Sequence, residues 1–242
     1  MIENLPSHIS VVFGLATLLT LGLFYLAIKR SKSETTRVTA VKITLCLIFW
    51  LVLQMVLTFQ NVYNTNTNAF PPKLFLFGFL PNIILLAAIF ITKTGRDFAD
   101  SLPLANITYI NIVRIPVELV LYWLFLSKAV PELMTFAGRN FDILAGLTAP
   151  IMAYFGFTKR QLSKQLLLIW NISCLGLLVN IVANAILSVP FPFQQFAFDQ
   201  PDIAILNFPF SWLPTFIVPI VLFGHLVSIR QLLKRQPPIQ NP

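Results

Sequence analysis

The chain reads as an all-α integral membrane protein. It is a bundle of seven transmembrane helices, with its N-terminus outside and its C-terminus in the cytoplasm. Seven apolar stretches, each about long enough to cross a bilayer, alternate with polar connections. Hydrophobic residues make up 57% of the 242 and charged residues 11%, under half the roughly one quarter of a soluble domain. Mean hydropathy is +0.78. Lys and Arg fall almost entirely on one side of the stretches, which sets the orientation.

Roughly 20 helical residues at ~1.5 Å each cross a ~30 Å hydrocarbon core. The spans cover about 9–28, 41–63, 74–92, 105–127, 143–157, 165–188 and 210–229. The first runs without a break to Lys29-Arg30, and the second opens at Lys42 and ends at Gln60 and Asn61. The third carries Pro81 and Asn82, and the fourth Arg114, Pro116 and Glu118. The fifth is short, which suggests burial among the others or an extension back through Asn140. The sixth is polar along more than one face (Asn171, Ser173, Asn180, Asn184), and the seventh holds Pro214 and Pro219. A single domain over 1–229 and a basic, Pro-rich cytoplasmic tail over 230–242 account for the whole length.

Thirteen of the 17 Lys and Arg lie in the first, third and fifth connections and after the last span. Only Lys73, Lys128 and Arg139 lie on the other side, and Arg114 is inside a span. The net charge of +8 therefore reflects topology and contact with anionic lipid heads, and no nucleic-acid partner is needed. Met1 to His8 carries no positive charge, so the first span reads as retained and not as a cleaved signal. Small size and the lack of a targeting signal place the chain in the cytoplasmic (inner) membrane of a bacterium. Cys46 and Cys174 both fall within spans and read as free thiols.

The two ends of the chain echo each other. Gly14-Leu15-Ala16-Thr17 and Gly146-Leu147-Thr148-Ala149 precede Lys-Arg exits. Phe77-Gly78-Phe79-Leu80-Pro81 and Phe210-Ser211-Trp212-Leu213-Pro214 occupy corresponding spans. The order suggests a 3+1+3 parallel repeat, a plan known in transporters. It is similar to the small sugar transporters in topology alone, since their proline-glutamine signatures do not appear.

Arg114 and Glu118 are the residues most costly to place. By helical rise Arg114 lies about 15 Å into the membrane from the cytoplasmic end of its span, and Glu118 about 20 Å. A charge at that depth costs roughly 2.5–3.5 kcal/mol or more, and such charges face the bundle interior and pair. At a spacing of four they share a face, so each is expected to neutralise the other in part, with Asn111 and Tyr122 on the same stripe. Pro116 between them removes a hydrogen bond to the Ile112 carbonyl. Gln54, Asn82 and Asn180 fall in the outer half of their spans, where with Arg114 and Glu118 they could line an outward cavity.

Pro214 and Pro219 make the seventh span the expected moving part, and Arg139 and Asp142 stand in the densest outer charge cluster. Asn140 or Asp142 is a candidate cap for the fifth span, and Arg139 to Asp142 a local pair. The connection 189–209, rich in Phe and without a basic residue, reads as an interfacial anchor or a lid.

No Gly-rich phosphate loop, metal-spaced His/Cys/Asp cluster or Ser-His-Asp set is present, so neither cofactor nor metal is expected. No Lys lies within a span to carry a retinal. The expected partners are the bilayer and a small polar or anionic solute bound or translocated near mid-membrane, with homo-oligomerisation left open. Arg114 is expected to meet the anion and Glu118 to set its protonation. The alternative is a non-catalytic scaffold or sensor working through partners at the cytoplasmic face. An enzyme acting on lipid, with Glu118 or Asp142 as acid-base, is a distant third.

Overall fold

The computed structural model describes Ile2 and residues 5–234, and among them every regular element is helical. Two rods come first, α1 (Ser7–Lys29) and α2 (Glu34–Phe59). α2 begins well before position 41 because Ser33 caps it, its hydroxyl accepting from the Thr36 N–H at 3.4 Å. Arg37, expected in a connection, is thus helical. The third rod starts as a π turn (Phe75–Phe79), continues as α3 (Leu80–Ile91), then bends by 90° into α4 (Lys93–Ser101). The fourth is α5 (Leu104–Tyr109), a 3-10 turn (Ile110–Val113) and α6 (Arg114–Leu126). α7 (Asp142–Ile151) runs into a π turn (Met152–Thr158), and α8 (Lys164–Ser188) follows. The last rod is a π turn (Leu213–Ile217) leading into α9 (Val218–Leu233).

Five of these rods are long and apolar enough to cross a membrane: Ser7–Lys29, Glu34–Phe59, Leu104–Leu126, Lys164–Ser188 and Leu213–Leu233. The bent pair Phe75–Ile91 and Lys93–Ser101 makes a sixth if counted as one span, and Asp142–Thr158 is shorter. The chain is a helical, multi-pass membrane protein in its composition and its rods. Its outer faces agree: Phe49 is 70% exposed and Ile91 73%, a surface suited to acyl chains and not to water.

Position 93 onward, expected as a loop, is helical because Thr92 caps it by accepting from the Gly95 N–H at 3.2 Å. Phe98 then stacks on Phe223 with ring centroids 6.1 Å apart. α9 extends to Leu233, past the expected start of the tail at 230. Residues 235–242 of that tail lie outside the described residues.

Contacts sort the connections into two ends. At one end Ser31 donates to the Ser101 hydroxyl (2.8 Å), Arg230 pairs with Asp100 (3.0 Å), and Lys164 donates to the Lys234 carbonyl (2.8 Å). At the other, Ile203 and Ala204 donate to the Ala129 carbonyl (3.2 and 3.1 Å), and Asn64 donates to the Leu206 carbonyl (3.2 Å). The basic connections gather at the first end. Between the ends lies an apolar core in which Phe13 meets Phe210 (5.2 Å) and Phe24 meets Phe223 (5.8 Å). α7 lies close on the fourth rod because Gly146 has no side chain: a Cβ there would come within 2.8 Å of Ile115 Cγ1.

The prolines explain several polar residues that lie deep in the spans. Pro81 and Pro219 have no N–H, so the carbonyls four residues back, Phe77 and Thr215, lose their helical partners. In an apolar surrounding those oxygens need new donors. Gln54 Nε2 donates to the Phe77 carbonyl at 3.1 Å. Trp50 Nε1 and Asn82 Nδ2 both donate to the Thr215 carbonyl at 2.9 Å. Asn82 also reaches the Gly78 carbonyl at 2.6 Å, and Tyr63 donates to Gln54 Oε1. Removing both donors to Thr215, in Trp50→Phe with Asn82→Ala, should cost about 1–2 kcal/mol. Thermal unfolding in detergent measures it, and an unchanged melting temperature would refute this role.

Candidate functional site

The fourth rod brings a guanidinium and a carboxylate into the middle of the bundle one turn apart, but they do not pair with each other. Arg114, 4% exposed, is paired with Asp142, its Nη1 lying 3.2 Å from Oδ1. Nη1 also donates to the Cys174 carbonyl at 3.4 Å, and Nη2 lies 3.1 Å from His225 Nε2. No direct Arg114–Glu118 ion pair forms. The partner comes from α7, because a side chain across the bundle can meet the guanidinium head-on and Glu118, one turn along, points elsewhere. The expected local Arg139–Asp142 pair gives way for the same reason: Arg139 lies over the Phe196 ring, 5.4 Å from its centroid.

His225 is held in one tautomer. Asn171 Nδ2 donates to the Leu167 carbonyl at 2.9 Å, which orients the amide so that its Oδ1 faces His225 Nδ1 at 3.1 Å. Nδ1 therefore carries the proton, and Nε2 accepts from Arg114. The ring is neutral and fully buried, with Trp170 6.0 Å away. Sequence gave no sign that position 225 would meet position 114, since the two lie on different rods and share no spacing.

Glu118 accepts from Asn140 Nδ2 through Oε1, and Oε2, also buried, has no partner. Asn140 Nδ2 donates as well to the Met134 carbonyl (3.0 Å), and its Oδ1 accepts from the Asp142 N–H (3.0 Å). The cap role expected of Asn140 thus holds in altered form: it turns the chain at the start of α7 and touches Glu118 together. α6 runs about 18 Å from Arg114 to Leu126. Since Asp142 is level with Arg114, the connection after α6 must return that distance into the bundle. Accordingly Val130, Met134, Thr135 and Asn140 are all buried.

Beside this cluster is a cavity of about 310 Å³. Glu118, Asn140 and Asp142 stand at one end of it. Val117, Leu121, Leu178, Val182, Phe75 and Phe79 form its walls. Leu213 and Val218, five apart, share a wall because the π turn brings residues at that spacing onto one face. Phe191, Phe193 and Ile205 of the connection 189–209 close it at the end opposite the basic connections. That connection is tied to the bundle: Gln200 donates to the Val130 carbonyl at 2.6 Å and the Asp202 N–H to Ser188 at 2.9 Å.

Of the residues expected at the site, Glu118, Asp142 and Pro214 line this cavity. Arg114 sits behind Asp142. Gln54 and Asn82 serve the proline-freed carbonyls, and Asn180 donates to the Arg139 carbonyl (3.0 Å). Asn111 donates to the Thr108 carbonyl (3.1 Å), while its Oδ1 and Arg114 Nε have no partner. Tyr122 stacks on Phe136, 4.9 Å between centroids. Pro116 follows the 3-10 turn, and Pro219 is buried in the first turn of α9. Among the described residues no His, Cys, Asp and Glu group is arranged to hold a metal.

Residues 71–233 match the model of a family described as a domain of unknown function, DUF8737. No curated protein and no solved structure matches the chain. The matched stretch contains Arg114, Glu118, Asn140, Asp142, Asn171, His225 and every residue lining the cavity except Phe70. α1 and α2 lie outside it.

Two outcomes test this description. Arg114→Ala leaves Asp142 buried without its partner and should cost about 3–5 kcal/mol, whereas Arg114→Met with Asp142→Leu should regain most of it. Thermal unfolding decides, and recovery on exchanging Arg114 with Glu118 instead would show that the pairing is misassigned. The second concerns Asp202, which is fully buried in the connection 189–209. Burial pushes its carboxyl up to about 7, with the Ile205 and Ala204 N–H groups pulling the other way, although neither oxygen makes a well-formed hydrogen bond. An exposed Asp titrates near ~3.9. The raised group favours the packed connection below that value, and the contribution is lost as pH rises through about 7. Amide exchange over 189–209, corrected for intrinsic rates, should therefore speed up between pH 5.5 and 8, and Asp202→Asn should flatten the trend. A pH-independent wild type would contradict it.

Proposed function

The chain belongs to the DUF8737 family, and from the geometry of its own residues we propose that it is a seven-pass membrane protein that binds or translocates a small solute in a cavity in the outer half of the bundle. Seven rods alternate in direction between the two ends of the bundle. The basic connections share one end, which supports a cytoplasmic position for that end and an outside N-terminus. The compartment that fits is a bacterial cytoplasmic (inner) membrane. The rods Phe75–Ile91 and Asp142–Thr158 are each about 25 Å long by helical rise, a mismatch of a few ångströms that a bilayer absorbs by thinning. A 3+1+3 repeat is supported by the π turns Phe75–Phe79 and Leu213–Ile217 in corresponding rods, and by the Ser33 and Ser163 caps that start α2 and α8.

The observation that carries the binding reading is the cavity itself, about 310 Å³, with apolar walls and Glu118 at one end. That volume lies at the lower edge of the ~300–1,000 Å³ of small-molecule sites. An anion would need Arg114 at the cavity, but Asp142, the Cys174 carbonyl and His225 occupy it. The solute that fits has an apolar body and a polar group facing Glu118 and Asn140. A second reading, a scaffold or sensor with partners at the cytoplasmic face, has the exposed Lys29 and Arg30 of the basic end in its support.

Val182→Trp fills the cavity from the α8 wall, while Ile172→Trp adds the same group to a lipid-facing position of α8. Native mass spectrometry of purified protein should show a retained small molecule in wild type and Ile172→Trp that Val182→Trp loses. Equal retention in all three would end the binding reading.

A further inference from the structure

The charge around the cavity is unbalanced. Glu118 and Asp142 both line it, and among the described residues no Lys, Arg or His does. Behind them one guanidinium, Arg114, pairs with Asp142, and His225 is neutral by its bonding. Two carboxylates thus share one cation. Glu118, 2% exposed, keeps a buried oxygen without a partner beside an apolar wall. An ionised carboxylate so placed is costly until a cation or donor reaches it.

We propose, resting on the binding reading above, that the cavity takes a single-chain amphiphile whose head is a protonated amine. The ammonium donates to Glu118 Oε2, and the chain runs along Leu178, Val182 and Phe79 toward the mouth. Phe70, Phe75 and Ile186 line the cavity and are exposed, so the tail leaves the cavity among lipid-facing side chains. The volume is about twice the ~150 Å³ that holds a benzene, which gives room for one alkyl chain but not the two of a phospholipid. A cation is favoured over an anion because Arg114, the guanidinium next to the acidic end, is already paired behind Asp142.

The test uses the full chain in phosphatidylcholine nanodiscs, titrated with dodecylamine and with lauric acid of the same chain length. Val182→Trp supplies the baseline for partition into lipid. Dodecylamine should raise the melting temperature saturably and bind at least tenfold more tightly than lauric acid. Glu118→Gln, which keeps an acceptor for Asn140, should lose about tenfold for the amine and little for the acid. Lauric acid binding as well as the amine would overturn the proposal, and so would an unchanged amine affinity in Glu118→Gln. Should that variant fail to fold, the preference of wild type between the two probes still decides. Retention of phosphatidylethanolamine in nanodiscs that contain it, lost in Val182→Trp, would overturn the single-chain assignment. If neither probe binds while wild type retains a molecule that Val182→Trp loses, the proposal fails and the cavity reading stands. If the variant and wild type behave alike throughout, the cavity reading fails too.

Discussion

Arg114 has to find a counter-ion inside an apolar bundle, and the way it does so shapes the half of the structure around it. Its partner, Asp142, is the first residue of α7, so α7 must begin at the depth of Arg114. That makes α7 short and obliges the chain between α6 and α7 to descend into the core. The descent has its own requirements. Asn140 turns the backbone at the bottom and meets Glu118 on the way, so the second buried charge is engaged by the segment that serves the first. On the other side His225, set in one tautomer by Asn171, accepts from the guanidinium. A buried charge without partners is far more costly than one so enclosed, and four rods are tied together by satisfying it.

The prolines impose a second constraint of the same kind. Each removes a donor from a helix that has no water to replace it. Gln54, Trp50 and Asn82 supply the missing bonds from neighbouring rods. The helices loosen into π turns next to Pro81 and around Pro214, and those turns place Phe75, Phe79, Leu213 and Val218 on the cavity wall. The cavity is therefore made by the same backbone irregularity that the amides of α2 and α3 support. Its polar end is made by the arrangement around Arg114. Apolar walls joined to an acidic end suit a ligand that is itself amphiphilic.

The connections at the end opposite the basic loops finish the enclosure. Phe191, Phe193 and Ile205 reach the cavity, while Gln200 and the backbone of 202–204 hold the segment to the end of the fourth rod. Lid and anchor, the two readings its Phe-rich sequence allows, draw on different residues: Phe191 and Phe193 face inward, and Phe198 is 69% exposed. Asp202 is sealed beneath this segment.

Local composition by itself determined that the chain is helical and multi-pass, where its apolar rods lie, and which residues would be expensive to bury. Hydropathy and helical rise are properties of consecutive residues, so the rod over 142–158 was legible almost to its ends from 143–157. So was the cost of Arg114 and Glu118, both of which the bundle encloses, whereas Asp142, expected in a charge cluster on the outer face, is buried against Arg114. Only the tertiary structure decided who meets whom. Helix rotation and inter-rod distance are not encoded in spacing along one rod, so Arg114 and Glu118 shared a face without sharing a bond. Gln54 and Asn82 had the depth of a ligand site but were claimed by carbonyls on other rods. His225 came to the guanidinium, and Asn171 to His225, from positions that no period connects. A buried charge announces itself in the sequence through its cost, whereas its partner is chosen by packing.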